Sequence, residues 1–225
     1  MTQTSKWRLD AATGIGFVVL LSVALLLPGS PPKAEDTIER ITAVLIEERQ
    51  AFLVSGYLAG LAAMAYLWFL GSVGRFLGTD GEGALGGAAT AGGTFAISVV
   101  LLGMMMFNGV AFVAAGLGDP AVVRALTDVG NGVIELGKFG FAVFILAVSR
   151  RGAAAGVLPV WLVRLGLAAV PLMLLSAVAL FIDHGMFQFG GAIDLAGALP
   201  ALAWTLALSI VMMRTPPPVR REVRP

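Results

Sequence analysis

The chain has 225 residues, of which 58% are hydrophobic and only 13% are charged, and its formal net charge is +1. A soluble domain carries about 25% charged residues, so this composition is typical of a membrane protein, and the near-neutral charge argues against a nucleic-acid partner. The absence of cysteine excludes disulfides, thiolate metal sites and cysteine nucleophiles. With a single histidine, neither a multi-histidine zinc site nor a bis-histidine haem can form within one subunit, and we expect no cofactor.

Six apolar stretches, each long enough to cross a hydrocarbon layer about 30 Å thick, predict six transmembrane helices. The predicted spans are about 11–28, 51–77, 94–116, 129–149, 161–182 and 191–213. The first resembles a secretory signal, but the prolines that follow it disfavour cleavage, so we expect a retained helix. Ahead of the third span, the Gly/Ala-rich stretch 78–93 predicts a flexible cytoplasmic loop or a packing interface. The chain is therefore expected to form one all-α transmembrane domain over residues 1–225.

The connection at 29–50 is long enough to hold structure of its own. Its residues 36–39 (DTIE) resemble a helix capping box, and Ile38, Ile41 and Leu45 recur at helical spacing among charged residues. This pattern predicts an amphipathic helix that lies on the outer membrane surface or runs straight into the second span. A docking surface for a partner and a solvated extension of the second span are both compatible with it.

The distribution of basic residues predicts that both termini are cytoplasmic. An even number of spans places the termini on one side, and lysine and arginine near span ends mark the cytoplasmic side. The side of the termini carries ten such residues and the other side four, namely Lys6, Arg8, Arg75, Arg150, Arg151, Arg164, Arg214, Arg220, Arg221 and Arg224 against Lys33, Arg40, Arg49 and Arg124. The segment 214–225 is then a basic cytoplasmic tail, and we expect a multi-pass protein of the bacterial plasma (inner) membrane.

Three stretches carry a resemblance to a known group of proteins. They are the opening helix with its acidic loop and amphipathic helix, residues 55–60 (SGYLAG) leading into 66–71 (YLWFLG), and residues 158–162 (LPVWL) at the start of the fifth span. In this layout the chain resembles a broad group of six-helix integral membrane proteins from high-GC bacteria, which are known as domains of unknown function. The resemblance implies the six-helix fold, and it transfers no activity and no functional residue.

Polar residues inside the fourth span are the strongest functional signal. Glu135 and Lys138 lie in an otherwise apolar stretch at i, i+3 spacing, which places them on one helix face, and Asn131 extends that face. Asn108 falls at a similar depth in the third span. A charge at mid-bilayer costs about 2.5–3.5 kcal/mol on insertion scales, so such residues usually face the bundle interior. Either Glu135 and Lys138 only neutralise each other and fix the helix in the bundle, or they line a polar pocket in its outer half.

A second, weaker pattern lies around the connection between the fifth and sixth spans. Asp183, His184 and Asp194 cluster there, and a histidine near acidic groups can bind a divalent metal or titrate near neutral pH. One histidine and two aspartates at irregular spacing are also typical of a solvated loop. The cluster is therefore a minor candidate for a metal or pH-sensing site.

The sequence lacks the motifs of common membrane enzymes, such as His-Glu-x-x-His or Gly-x-Ser-x-Gly. This absence favours a protein that is not an enzyme. One hypothesis is a module that binds or transports a small ligand or a proton, with a pocket lined by Asn108, Asn131, Glu135 and Lys138. The alternative is a regulatory or assembly protein that contacts another membrane protein or a second copy of itself. In both cases the lipid bilayer is a partner.

Overall fold

A computed structural model of the chain describes residues 3–29, 36–78, 83–114, 119–182 and 184–215. They form seven α-helices and two short 3₁₀ turns, and no strand occurs among them. The helices are α1 (Gln3–Leu26), α2 (Ile38–Glu47), α3 (Arg49–Phe76), α4 (Gly83–Ala114), α5 (Pro120–Ala154), α6 (Val160–Ser176) and α7 (Ala192–Arg214), with the turns at Ala177–Leu180 and Gly185–Phe187. All but α2 are long and apolar enough to span a membrane, counting the first turn with α6, which confirms the predicted all-α bundle of six spans.

The amphipathic connection is a helix, as predicted, and it is separate from the second span. Thr37 caps α2 by accepting a hydrogen bond from the backbone N–H of Arg40 at 3.4 Å. The helix ends at Glu47, and α3 begins two residues later. Ile41 and Leu45 are completely buried in a cluster with side chains of α3, α4 and α5. The apolar face of α2 is thus already covered by the rest of this chain.

The six spanning helices form a closed ring in chain order. Each packs on the next, from α1 on α3 to α6 on α7, and α7 returns to pack on α1. Two hydrogen bonds join the ends of the ring: Trp7 Nε1 donates to the carbonyl of Met212 at 2.8 Å, and Ser209 Oγ donates to the carbonyl of Ala11 at 2.6 Å. Because all four groups are shielded from water, these bonds fix how the first and last helices pack.

Aromatic side chains fill the centre of the ring. Tyr66 of α3 lies 4.5 Å from Phe17 of α1, 5.5 Å from Phe141 and 5.8 Å from Phe144 of α5, measured between ring centroids. Phe144 in turn meets Trp204 of α7 edge to face at 5.8 Å. These five rings, called the aromatic cluster below, pack tightly across the interior of the bundle.

The Gly/Ala-rich stretch 78–93 is mostly helix, so the prediction of a flexible turn was wrong for the part from Gly83 onward; residues 79–82 lie outside the described ranges. Its glycines bring α4 and α5 into backbone contact. A Cβ on Gly92 would lie 2.9 Å from the carbonyl oxygen of Gly140, and one on Gly140 would lie 2.6 Å from that of Gly92. Small residues at such crossings let transmembrane helices approach closely, and the segment is therefore a packing interface.

Two spans end differently from their predicted bounds on the outer side. α5 begins at Pro120, nine residues before the predicted start, because Asp119 caps it by accepting from the N–H of Ala121 at 2.9 Å. α6 ends at Ser176 and passes into a 3₁₀ turn instead of continuing to residue 182. Most of the predicted basic tail, 216–225, lies outside the described residues. The cytoplasmic placement of the termini stays a prediction.

Candidate functional site

One face of α5 carries a continuous polar stripe. Arg124, Asp128, Asn131, Glu135 and Lys138 follow one another at intervals of four, three, four and three residues. This spacing keeps them on one side of a helix, and the stripe extends about 21 Å at 1.5 Å per residue. The sequence-based prediction included only the last three. Continuing the same spacing of three and four residues toward the N-terminus of the helix identifies Asp128 and Arg124.

A cavity of about 340 Å³ lies along this stripe. Its polar side is formed by Arg124, Asp128, Asn131 and Glu135, and its apolar side by residues 179–182 and Phe189 from the connection between α6 and α7. The volume is near the lower end of the range for small-molecule sites. Its lining is exposed at Arg124 and Asp128 and buried at Glu135, so the cavity opens at the end of α5 that carries Arg124, which is the predicted outer side.

Lys138 lies between two carboxylates at the deep end of the stripe. Its Nζ is 2.7 Å from Glu135 Oε2 and forms a second ion pair with Asp194 Oδ1. Asp194 is in the first turn of α7, and its Oδ2 accepts a hydrogen bond from the backbone N–H of Gly190 at 2.6 Å. All three charged side chains are at least nine-tenths buried. With every group ionised, this triad of Glu135, Lys138 and Asp194 has a net charge of −1.

Two buried oxygens beside the cavity have neither a hydrogen bond nor an ion pair in the part of the chain that the structure describes. They are Asn131 Oδ1 and Glu135 Oε1, on residues that are only 6% and 1% exposed. Both residues line the cavity. Buried polar atoms are almost always paired with protein or water. These two acceptors therefore favour an occupant of the cavity that donates hydrogen bonds.

An ion pair lies at the opening of the cavity. Arg124 Nε lies 2.9 Å from Asp128 Oδ2, one helical turn away, and another guanidinium N–H of Arg124 donates to the backbone carbonyl of Asp36 at 2.8 Å. Both side chains are more than a third exposed. The Asp36 contact joins the segment before α2 to the rim of the cavity.

Asn108, the fourth residue predicted for the pocket, lines a different cavity. Its side chain contacts the backbone of α3 at Gly56, where even a methyl group would collide with it. It faces a smaller cavity of about 80 Å³ whose walls are mainly apolar and include Phe52, Phe107 and Phe189. Phe189 borders both cavities. The structure thus brings Asn131 and Glu135 together beside the larger cavity, with Lys138 behind them, and separates Asn108 from them.

The residues of the second predicted cluster lie in different surroundings. His184 is exposed in the connection between α6 and α7, whereas Asp194 is buried against Lys138. Asp183 lies outside the described residues. Within the described ranges, no three His, Cys, Asp or Glu side chains are grouped closely enough to hold a metal ion. A metal or pH-sensing role for Asp183, His184 and Asp194 together stays a prediction.

No family model, curated protein or solved structure matches the chain. The chemistry of the site therefore has to be read from its geometry alone. A carboxylate and an amide oxygen face the cavity without donors, while the one buried cation nearby is already shared between two acids. This arrangement suits a donor or a positive charge and disfavours an anion.

Proposed function

We propose that the chain is a binding or transport module of the bacterial plasma membrane, and that the cavity beside α5 binds its small ligand or proton. The observation that carries this proposal is the pair of unpaired oxygens, Asn131 Oδ1 and Glu135 Oε1, on the wall of a 340 Å³ cavity. Leaving a buried acceptor without a donor costs about 1–3 kcal/mol. An occupant that supplies donors would recover that free energy on binding.

The charge balance also supports a binding role over a purely structural one. Two residues that served only to fix α5 in the bundle would form a neutral pair surrounded by packed side chains. Here Glu135 and Lys138 share the site with Asp194, which gives the group two acids for one base, and open space adjoins it. Buried charge without compensation is costly in the membrane and is typical of functional sites there.

The aromatic cluster supports access from the outer side only. It lies beyond Lys138 toward the chain termini, where Phe141 and Phe144 of α5 pack against Tyr66. A ligand would therefore reach Glu135 from the predicted outer surface. Binding requires no movement of these rings, whereas transport to the cytoplasm requires them to separate.

The alternative, a regulatory or assembly protein without a ligand, has weaker support. Its most plausible contact element is α2, the only helix of the described chain outside the ring. Since Ile41 and Leu45 of α2 are completely buried against the bundle, the apolar face that would attract a partner is already occupied. A partner would have to recognise the exposed charged face of α2 instead.

Native mass spectrometry of the full chain, released from mild detergent, tests the proposal. The matched variants are Gly132→Leu, which fills the cavity, and Gly71→Leu, which adds the same side chain elsewhere. A Cβ at Gly132, a residue that lines the cavity, would have Leu180 as its nearest neighbour at 3.9 Å and meet no collision, and Gly71 is exposed with no neighbour within 4 Å. Neither substitution alters a charge.

We expect wild-type protein and Gly71→Leu to carry a stoichiometric bound mass that is neither lipid nor detergent, and Gly132→Leu to lose it. A bare wild-type chain that copurifies with another membrane protein would favour the assembly role. A mass retained equally by Gly132→Leu would show that the ligand binds elsewhere.

A further inference from the structure

The buried charges beside the cavity indicate which class of ligand it takes. Resting on the function proposed above, we infer that the site binds one monovalent organic ammonium ion, held by Glu135 and Asn131 between the polar face of α5 and the apolar wall opposite, in exchange for one proton. The inference rests on the charge of the site, its unpaired acceptor oxygens, the size of the cavity and the chemistry of its walls.

The charge of the ligand follows from the charges around the site. The triad of Glu135, Lys138 and Asp194 has one cation for two carboxylates, so one further positive charge would neutralise it. Arg124 cannot supply that charge, because it is paired with Asp128 and bonded to the backbone of Asp36 at the rim. A buried negative charge without a counter-ion is strongly disfavoured, and the site is therefore built for a cation.

The helices packed on α5 supply no other compensating charge. α4 contains no Asp, Glu, Lys or Arg, and the 3₁₀ turn at Ala177–Leu180 is apolar. The charged residues of α2, α6 and α7 apart from Asp194 are Glu39, Arg40, Glu47, Arg164 and Arg214. None of these five lines the cavity. None of these helices, nor the turn, therefore supplies the missing positive charge.

The cavity suits an organic cation better than a metal ion. A hard metal cation prefers about six oxygen ligands, whereas the deep end of the described wall offers two buried unpaired oxygens, Asn131 Oδ1 and Glu135 Oε1. A volume of 340 Å³ equals that of roughly ten water molecules and greatly exceeds a bare ion. The opposite wall, with Leu180, Ile182 and Phe189, suits the hydrocarbon part of an alkyl- or arylammonium ion, whose N–H groups match the two oxygens.

Binding is coupled to a proton because the empty site must also be neutral. Both oxygens of Asp194 already accept hydrogen bonds, from Lys138 and from the Gly190 N–H, whereas Glu135 Oε1 has no donor in the described part of the chain. Glu135 is therefore the carboxyl that carries the proton. The exchange is R–NH₃⁺ plus Glu135–COOH giving Glu135–COO⁻ paired with R–NH₃⁺, plus one H⁺ released to water.

Isothermal titration calorimetry of the full chain in mild detergent tests this exchange. The probes are butylammonium and benzylammonium chloride, compared with the neutral butanol and benzyl alcohol, with benzoate, and with sodium chloride. Each titration is run in two buffers of different protonation enthalpy, so that the number of protons released is measured directly. The titrations are repeated at several pH values, and the change in affinity with pH then gives a second, independent value for the number of protons released on binding.

We expect at least one ammonium probe to bind and to release about one proton, with affinity rising about tenfold per pH unit until the empty site is deprotonated. The matched alcohol should bind about tenfold more weakly or worse, since a hydrogen-bonded charge is lost, and benzoate and sodium should not compete. Glu135→Gln should weaken ammonium binding and abolish proton release. Asp10→Asn, which removes an acid paired with Arg75 at the opposite end of the bundle, should change neither.

Equal binding of alcohol and ammonium, binding without proton release in wild-type protein, or competition by sodium at equal concentration would each overturn the inference. The wild-type proton count does not depend on any variant folding. A non-cationic mass lost on Gly132→Leu in the mass spectrometry would leave the binding function standing and refute the ammonium ligand. A chain that binds none of the probes and carries no mass would refute both.

Discussion

Lys138 is the residue whose loss should destabilise the bundle most. Its ammonium is the shared counter-ion of Glu135 and Asp194, whose side chains are only 2% and 9% exposed. Lys138→Met leaves the Asp194 carboxylate buried beside the Glu135 carboxyl group without a cation. Removing one partner of a buried ion pair costs about 3–5 kcal/mol, so we expect a loss of that size in the free energy of unfolding.

Neutralising one of the acids should be far milder. Asp194→Asn keeps an oxygen that can accept from the Gly190 N–H, now 2.6 Å from Asp194 Oδ2, and leaves Glu135 and Lys138 as a neutral pair. The net loss is one hydrogen bond to a charged group, and Glu135 and Lys138 still balance each other in charge. We expect a change of about 1 kcal/mol or less. The triple variant Glu135→Gln, Lys138→Met, Asp194→Asn should recover most of the stability lost in Lys138→Met alone.

Unfolding in mixed micelles with increasing SDS, followed by the helical circular dichroism signal, measures these differences. Arg75→Met is the control, because Arg75 pairs with Asp10 with half of its side chain exposed, and such pairs contribute about 0–1 kcal/mol. Equal losses for Lys138→Met and Asp194→Asn would refute the charge-balance reasoning. They would mean that the Lys138–Asp194 contact itself, rather than the balance of buried charges, governs the stability of the site.

Two further predictions concern packing. Gly140→Ala should lower the free energy of unfolding by about 1–3 kcal/mol, the usual cost of overpacking, because its Cβ would lie 2.6 Å from the carbonyl oxygen of Gly92. Gly71→Ala, with open space around it, should be neutral or stabilising by up to about 1 kcal/mol, and equal behaviour of the two alanines would contradict the close α4–α5 contact. Ser209→Ala should cost about 1 kcal/mol in thermal unfolding, because it removes the 2.6 Å hydrogen bond to Ala11, and an unchanged melting temperature would show that this bond does not hold the ring closed.

The fold was predictable because its signals are local. Each span is an uninterrupted apolar stretch of the chain, and hydropathy over about 20 residues is enough to find it. α2 was equally visible, from the capping-box pattern of residues 36–39 and the helical spacing of Ile38, Ile41 and Leu45. The Gly-rich start of α4 was misread because glycine disfavours isolated helices. Only the packing partner, Gly140 on α5, explains why helix forms there.

The contacts of the site within one helix were predictable from the sequence, whereas its contacts between helices were not. Glu135 and Lys138 share a face because of helical spacing, and the structure confirms their contact at 2.7 Å. Asp194 is 56 residues further along the chain, and nothing in its local sequence indicates that α7 starts beside Lys138. Asn108 has a similar depth, but depth does not specify the direction in which a side chain points around its own helix. Its direction is set by the close approach of α4 to Gly56.

The most direct test of the central claim is whether water reaches the cavity beside Glu135 from the outer side. The natural chain has no cysteine, so Gly132→Cys in the cavity wall and Leu136→Cys, one turn further on and 43% exposed on the outside of the ring, are clean single-thiol probes. A membrane-impermeant maleimide is added to intact cells. We predict that Gly132→Cys is labelled and Leu136→Cys is not. Labelling of Gly132→Cys only after the membrane is permeabilised, or in neither condition, would contradict an outward-open polar cavity.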